Sequence, residues 1–213
     1  LILLFDTSTS HLSIGLASDD GELLREYNAT AAPGERGIHD ARLALECARL
    51  LAEAGVTAAH IKRIGLIIGP GSFTGLRIGL TFAKGLAFAT GAGIVALTPH
   101  EVMSKEFDNA ECEIIVPGYR EDLFYQSNSG SPKDIKLISS EELSLLKASL
   151  ILAHESLQEH SHPAFKDCSF LSTSLAIMSV MTSTNSTPIS GFAIDSLEPL
   201  YLTEFNVGKA FKA

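Results

Sequence analysis

The stretch Gly69-Pro70-Gly71-Ser72-Phe73-Thr74-Gly75-Leu76-Arg77-Ile78-Gly79 decides how the rest of the chain is read. Immediately before it, Arg63 to Ile68 is a short apolar run with the length and composition of a buried strand. After it the pattern is helical to about Thr90, and Ser72 or Thr74 can cap the helix by accepting from an orphan backbone N–H. Gly69 and Gly71 allow a sharp turn that Pro70 stiffens. The unit is a strand, a tight turn and a helix start.

Along that helix Gly75, Gly79, Ala83 and Ala87 recur every four residues and make one smooth strip. Gly75, Gly79 and Gly85 each cost about 1 kcal/mol relative to alanine inside a helix. Their sum is a large share of the roughly 5–15 kcal/mol that stabilises a domain. Close approach by a neighbour is the expected compensation. The other faces are apolar too (Leu76, Ile78, Leu80, Phe82, Leu86, Ala89), leaving a narrow polar stripe of Arg77, Thr81 and Lys84. A helix apolar nearly all round is a buried one. A sheet is expected beneath it and something else above it.

Working outward, Leu1 to Phe5 is a continuous apolar run, Leu12 to Ala17 alternates, and Leu23 to Tyr27 reads as a third strand. The short spacing of their turns predicts an antiparallel meander. A Gly/Pro loop at 29–37 leads into a helix from Ile38 to Ala54, with Leu43, Cys47, Leu50 and Ala54 on one face and Gly55 to end it. Ile94 to Leu97 is a further strand, and Pro99 can open another helix at its first position. The order β-β-β-α-β-α-β-α predicts an α/β fold, a mixed sheet flanked by helices, in the ribonuclease H-like arrangement. In the second half, strands are expected at 114–116, 123–126, 135–138 and 150–153, with helices at 141–148 and 170–181. This reads as a degenerate second copy, giving subdomains at 1–105 and 106–213.

Composition limits the function classes. An apolar share of 46% without repeats indicates a globular chain, and the net charge of −9 opposes general binding to nucleic acid or anionic membrane. Contact with RNA would have to be local or made through a partner. The three cysteines, Cys47, Cys112 and Cys168, are widely spaced, form no metal or redox motif, and fit a reducing cytoplasm. The greasiest region, near residues 64 to 98, is interrupted by Arg77 and Lys84, so no membrane span is expected.

Candidate chemistry is sparse. The glycine turn lacks the lysine of a phosphate loop, and Gly69, Gly71 and Gly75 miss the dinucleotide spacing by one residue. Tight packing is the reading there. Asp6, Thr7 and Ser8 lie between the first two strands, where sugar kinases and actin-like ATPases face Mg²⁺ and phosphate. Their hydroxyls and backbone N–H groups suit a phosphate hairpin, and equally an ordinary Asx or Ser/Thr turn. The matching strand of the second half ends in Pro117-Gly118-Tyr119, with no carboxylate. The seven histidines include His154, His160 and His162 on an irregular stretch, His39 at a helix start, and His100 without a ligating partner four residues on. Surface histidines are expected, with no metal site and no catalytic set.

Together, Leu1 to Ser10 and the run from Gly69 to Gly79 resemble the TsaB (YeaZ) family. The likeness extends through residue 105, with His39 and Ala83-Lys84-Gly85-Leu86-Ala87, and returns at Pro199-Leu200-Tyr201-Leu202. The resemblance implies a two-subdomain actin-like ATPase (ASKHA) fold in a cytoplasmic, non-catalytic scaffold for tRNA threonylcarbamoyladenosine synthesis. It implies docking to a TsaD-like transferase, or to a second copy, through helices 38–54 and 74–90. His39, Leu43, Cys47, Leu50, Arg77, Gly75, Gly79, Ala83 and Ala87 would form that interface, and Gly79→Leu would harm association more than folding. A TsaE-like ATPase would join, and ATP or ADP could bind at the interface with the partner, the chain alone holding no cofactor. The metal-binding His-x-x-x-His of TsaD falls here on Pro99 and Met103, which cannot do the work of that pair, so an M22 glycoprotease-like activity does not carry over. The pattern also departs at Pro117-Gly118-Tyr119 and at Thr203. The competing class is an enzyme acting alone, either an ATP-dependent phosphotransferase or a metallopeptidase.

Overall fold

In this computed structural model the described residues are 1–31, 38–106, 113–118, 123–127, 135–146, 151–154, 157, 168–171, 188 and 190–201. Strands β1 (Ile2–Asp6), β2 (His11–Ala17) and β3 (Leu23–Thr30) form the expected meander, followed by helix α1 (Ile38–Glu53). A short 3-10 turn, Ala58–His60, precedes β4 (Arg63–Ile67), α2 (Phe73–Thr90), β5 (Gly93–Leu97) and α3 (Pro99–Glu106). The sheet order is β3-β2-β1-β4-β5, with β1–β4 and β4–β5 parallel and the hairpins antiparallel.

The apolar run of β1 is continuous because both faces of the sheet are covered. Leu3 and Phe5 join Leu43, Cys47 and Leu50 of α1 and Leu80, Ala83 and Ala87 of α2. Ile2 and Leu4 point the other way, toward Ile67, Val95, Leu97 and Val102 of α3. Edge strand β3 has no such double cover and alternates between half-buried and exposed. Ser72 caps α2 as the sequence offered, and further caps appear beside it. Ser72 Oγ accepts from the Gly75 N–H (3.3 Å), and Gly91 closes α2 in the left-handed conformation. At α3, Thr98 and Glu101 bond reciprocally, the Thr98 N–H to Glu101 Oε2 (2.7 Å) and the Glu101 N–H to Thr98 Oγ1 (3.1 Å), with Pro99 just inside.

A second sheet has the order β10-β9-β6-β7-β8, from β6 (Glu113–Pro117), β7 (Leu123–Ser127), β8 (Lys136–Ile138), β9 (Ile151–His154) and β10 (Cys168–Leu171). Written from β8, this repeats the first sheet strand for strand: β6 stands where β1 does and β9 where β4 does. Met103 of α3 packs with Ile114, Val116 and Phe124, so α3 serves the first sheet through Val102 and the second through Met103.

Three expectations for the second half change. The helix expected over 141–148 is a single turn, α4 (Ser140–Leu143), capped by Ser139 with Glu142. The helix expected from Phe170 begins instead as β10, paired in parallel with β9; the rest of that segment lies outside the described residues. Finally, residues 191–201, grouped by sequence with the second subdomain, pack on the first. Gly191–Ile194 forms a 3-10 turn whose Ile194 enters the α1/α2 core, and the Leu200 N–H donates to the Ile68 carbonyl (2.7 Å).

Candidate functional site

The β1–β2 hairpin and the glycine turn lock together at the carboxyl ends of β1 and β4. Thr7 Oγ1 donates to the Gly75 carbonyl (2.8 Å), the Ser8 N–H to Asp6 Oδ1 (2.7 Å), and the Ser72 N–H to the Ser8 carbonyl. A Cβ at Gly75 would strike the Thr7 carbonyl oxygen, and one at Gly79 the Thr7 hydroxyl. Smallness in α2 is therefore required by its own hairpin. Asp6, Thr7 and Ser8 are only 2%, 1% and 1% exposed. The turn at Gly69–Ser72 and the first turn of α2 lie over the hairpin, so these three side chains are covered by the chain itself. Ser8 Oγ is buried there without a hydrogen-bond partner among the described residues.

The interface expectation is corrected by burial of the same kind. His39, Leu43, Cys47 and Leu50 on α1 and Gly75, Gly79, Ala83 and Ala87 on α2 are all buried within the chain. They are the faces that meet the sheet and the hairpin. Burial, with the Glu46 charge adding to it, pushes the Cys47 thiol pKa up to about 12, so it is an inert packing group. His39 Nε2 lies 3.3 Å from the His11 carbonyl, which ties α1 to the hairpin. A bulky residue at Gly79 would strike Thr7 before it met any partner. Of the expected interface residues, only Arg77 is exposed.

The surface that does face outward was missed. On α1 it comprises Ala41, Leu45, Ala48 and Ala52, and on α2 Thr81, Gly85, Phe88 and Ala89, all exposed. Leu45 is 65% and Phe88 94% exposed, and nothing among the described residues lies within 4 Å of a Cβ placed at Gly85. Positions 41, 45, 48 and 52 share one helical face, which a wheel drawn opposite Leu43, Cys47 and Leu50 would have revealed. Beside this surface, Arg77 lies over the Phe73 ring (4.0 Å to its centroid), and its Nε donates to the Tyr201 hydroxyl (3.0 Å). Lys84 Nζ donates to the Asp195 carbonyl (2.9 Å).

The histidines do not all lie at the surface. His100, at the start of α3, is 1% exposed, and neither ring nitrogen has a hydrogen-bond partner among the described residues. Burial drives its pKa down to about 4, opposed in part by the Phe124 backbone. His160 and His162 lie outside the described residues. Among the described residues no three His, Cys, Asp or Glu side chains form a group that could hold a metal. Met103, which the resemblance sets against the second histidine of the TsaD pair, is sunk in the second core. The strand that repeats β1 ends in Pro117, where β1 ends in Asp6; Tyr119 and Thr203 lie outside the described residues. No described helix is long and apolar enough to cross a membrane.

Two sheets of this topology, the first with a meander edge and helices on both faces, define a ribonuclease H-like, actin-like ATPase fold. Comparison with known proteins sharpens this. The family model of TsaD, tRNA N6-adenosine threonylcarbamoyltransferase, matches residues 36–136. The tRNA N6-adenosine threonylcarbamoyltransferase of Streptococcus pneumoniae (strain CGSP14) is 27% identical over 149 residues, covering 62% of this chain and 44% of that protein. The chain thus spans under half the length of the curated relatives it matches. YeaZ from Pseudomonas aeruginosa superposes with a TM-score of 0.67 at 20% identity, covering 94% of this chain and 99% of that one. A second structure, described as an uncharacterized protein with similarity to peptidase YEAZ from Pseudomonas aeruginosa, gives 0.65 at 19% identity, covering 95% and 99%. The chain is therefore similar to the TsaD family in sequence and to YeaZ in fold.

Proposed function

We propose that this chain is a TsaB-type, non-catalytic scaffold subunit in the synthesis of N6-threonylcarbamoyladenosine in tRNA, and that it docks and activates a TsaD-like transferase. The observation that carries this reading is the outward face of α1 and α2. Leu45 and Phe88 stand in solvent among alanines and a glycine, on the two helices that resemblance assigns to docking. An apolar surface of this kind on a folded chain marks an interaction site, and small residues let a second pair of helices approach closely. The roofed Asp6–Ser8 hairpin supports a scaffold over an ATPase acting alone, because the phosphate position of the fold is filled by protein. In this reading two copies pair through the same face when the transferase is absent. A TsaE-like ATPase joins the docked pair, ATP or ADP binds only at the joint interface, and tRNA reaches the chain only through the complex.

Mixing the chain with the TsaD-like transferase of its own organism on a sizing column tests the reading. A stable heterodimer that restores tRNA modification by the transferase is expected. A strictly monomeric chain that neither binds nor stimulates the transferase would overturn it, and micromolar ATP binding by the chain alone would favour the phosphotransferase alternative.

A further inference from the structure

A groove of about 430 Å³ runs between α2 and the returning segment, walled by Leu80, Leu197, Pro199 and the Tyr201 ring. Arg77 and Lys84 stand in it, two helical turns or about 10 Å apart along α2. Neither makes an ion pair among the described residues, although the chain carries a net charge of −9. Arg49 on α1 shows the contrast, held between Glu46 (2.6 Å) and Glu53 (2.7 Å). Glu198 also lines the groove and pairs with neither cation.

The guanidinium of Arg77 is already oriented. Phe73 supports its face and Tyr201 takes the Nε proton, which leaves both terminal nitrogens without a partner among the described residues. Lys84 gives one hydrogen bond, to the Asp195 carbonyl, of the three that an ammonium can donate. A fixed guanidinium fork matches a carboxylate in a bidentate pair. Leu80, Leu197 and Pro199 flank the space such a pair would occupy. The groove adjoins the outward face of α2, since Thr81 belongs to both.

We infer that this groove receives a carboxylate side chain of the subunit that docks on α1 and α2, with Arg77 as the bidentate donor and Lys84 as the second charge. The inference rests on the docking reading above and adds the chemistry of the partner: an acidic residue beside its apolar contact face. Because the chain as a whole repels acidic partners, two unpaired cations at one place also set the register of docking.

Binding of the TsaD-like transferase by the full chain, measured by calorimetry at low and high salt, tests it. Arg77→Glu and Lys84→Glu should each weaken binding at least about tenfold, by reversing a charge that meets a carboxylate. Arg77→Lys should lose less than Arg77→Glu. Lys84→Gln keeps a donor for the Asp195 carbonyl, so it guards against simple release of the segment. It should still flatten the salt dependence that the parent shows. Charge-reversed variants that bind within about twofold of the parent, with its salt dependence intact, would overturn the inference. If Phe88→Asp abolished binding in the same series, the docking reading would stand while the groove assignment fell. A parent chain that does not bind the transferase overturns both. Saturable binding of inorganic phosphate by the chain alone, with partner affinity unaffected by either reversal, would overturn the inference in favour of a small-anion site.

Discussion

The two faces of α2 are built from similar residues for opposite reasons. Inward, Gly75 and Gly79 are small because the Thr7 carbonyl and hydroxyl occupy the space where a side chain would begin. Outward, Gly85 meets nothing, and Phe88 projects into solvent one turn away. The inward glycines are fully explained by the fold. Among the described residues nothing accounts for the outward glycine and phenylalanine, and under the docking proposal this is the surface a partner would cover. A small-residue strip alone could not distinguish the two, since both faces show one.

Substitutions that treat the faces alike should break this contrast. The largest effect is expected at Gly75→Ala, whose Cβ would overlap the Thr7 carbonyl oxygen and so must move backbone. Overpacking of this kind costs about 3 kcal/mol or more, and urea denaturation should show it with no partner present. Retention of parental stability would mean that hairpin and helix are less tightly joined than described.

His100 gives an effect of similar size that appears only in acid. Its folded pKa, near 4, lies below the ordinary 6.5, so the unfolded chain binds the extra proton first as pH falls. The stability contributed by the neutral ring is complete above about pH 6.5 and is lost progressively down to about pH 4, by about 3 kcal/mol in all. His100→Phe should remove most of this acid dependence, and parallel pH–stability curves for the two proteins would refute the assignment.

On the outward face the expected effects move from folding to association. Phe88→Asp should change stability by no more than about 0.5 kcal/mol yet weaken transferase binding at least about tenfold. The two are separable by denaturation and calorimetry on the same preparation. The smallest effect, at Gly85→Ala, is the most diagnostic. Helix propensity alone predicts a gain of about 1 kcal/mol in the free chain. A thermal shift upward, accompanied by weaker partner binding, would show that the glycine is kept for close approach by a partner.

Much of the first sheet was legible because its signals are local. The apolar runs, the Ser72 cap, Pro99 and the terminating Gly55 each act within a few residues of themselves. The second sheet was legible as a repeat of strand order although its residues show no repeat. The short α4 and the strand at Cys168–Leu171 were misread because brief apolar segments suit helix and strand equally. Which face of α1 and α2 points outward was misread for a related reason. Periodicity says that two helical faces differ without saying which one meets the sheet, and Thr7, which settles the matter, lies 68 residues from Gly75. Burial of His100 was likewise invisible, since it depends on packing against a strand more than twenty residues downstream.

The return of residues 191–201 makes the chain's architecture that of a loop closed on itself. The polypeptide leaves the first sheet through α3, builds the second, and comes back to place Ile194 in the first core and Leu200 beside Ile68. A fragment cut after Glu106 would keep every strand of the first sheet while losing the buckle across α2, leaving Leu80 short of its cover and Arg77 without the Tyr201 hydroxyl. Dissecting this molecule by its strands would therefore yield a half that is not autonomous, and the tail must travel with the head.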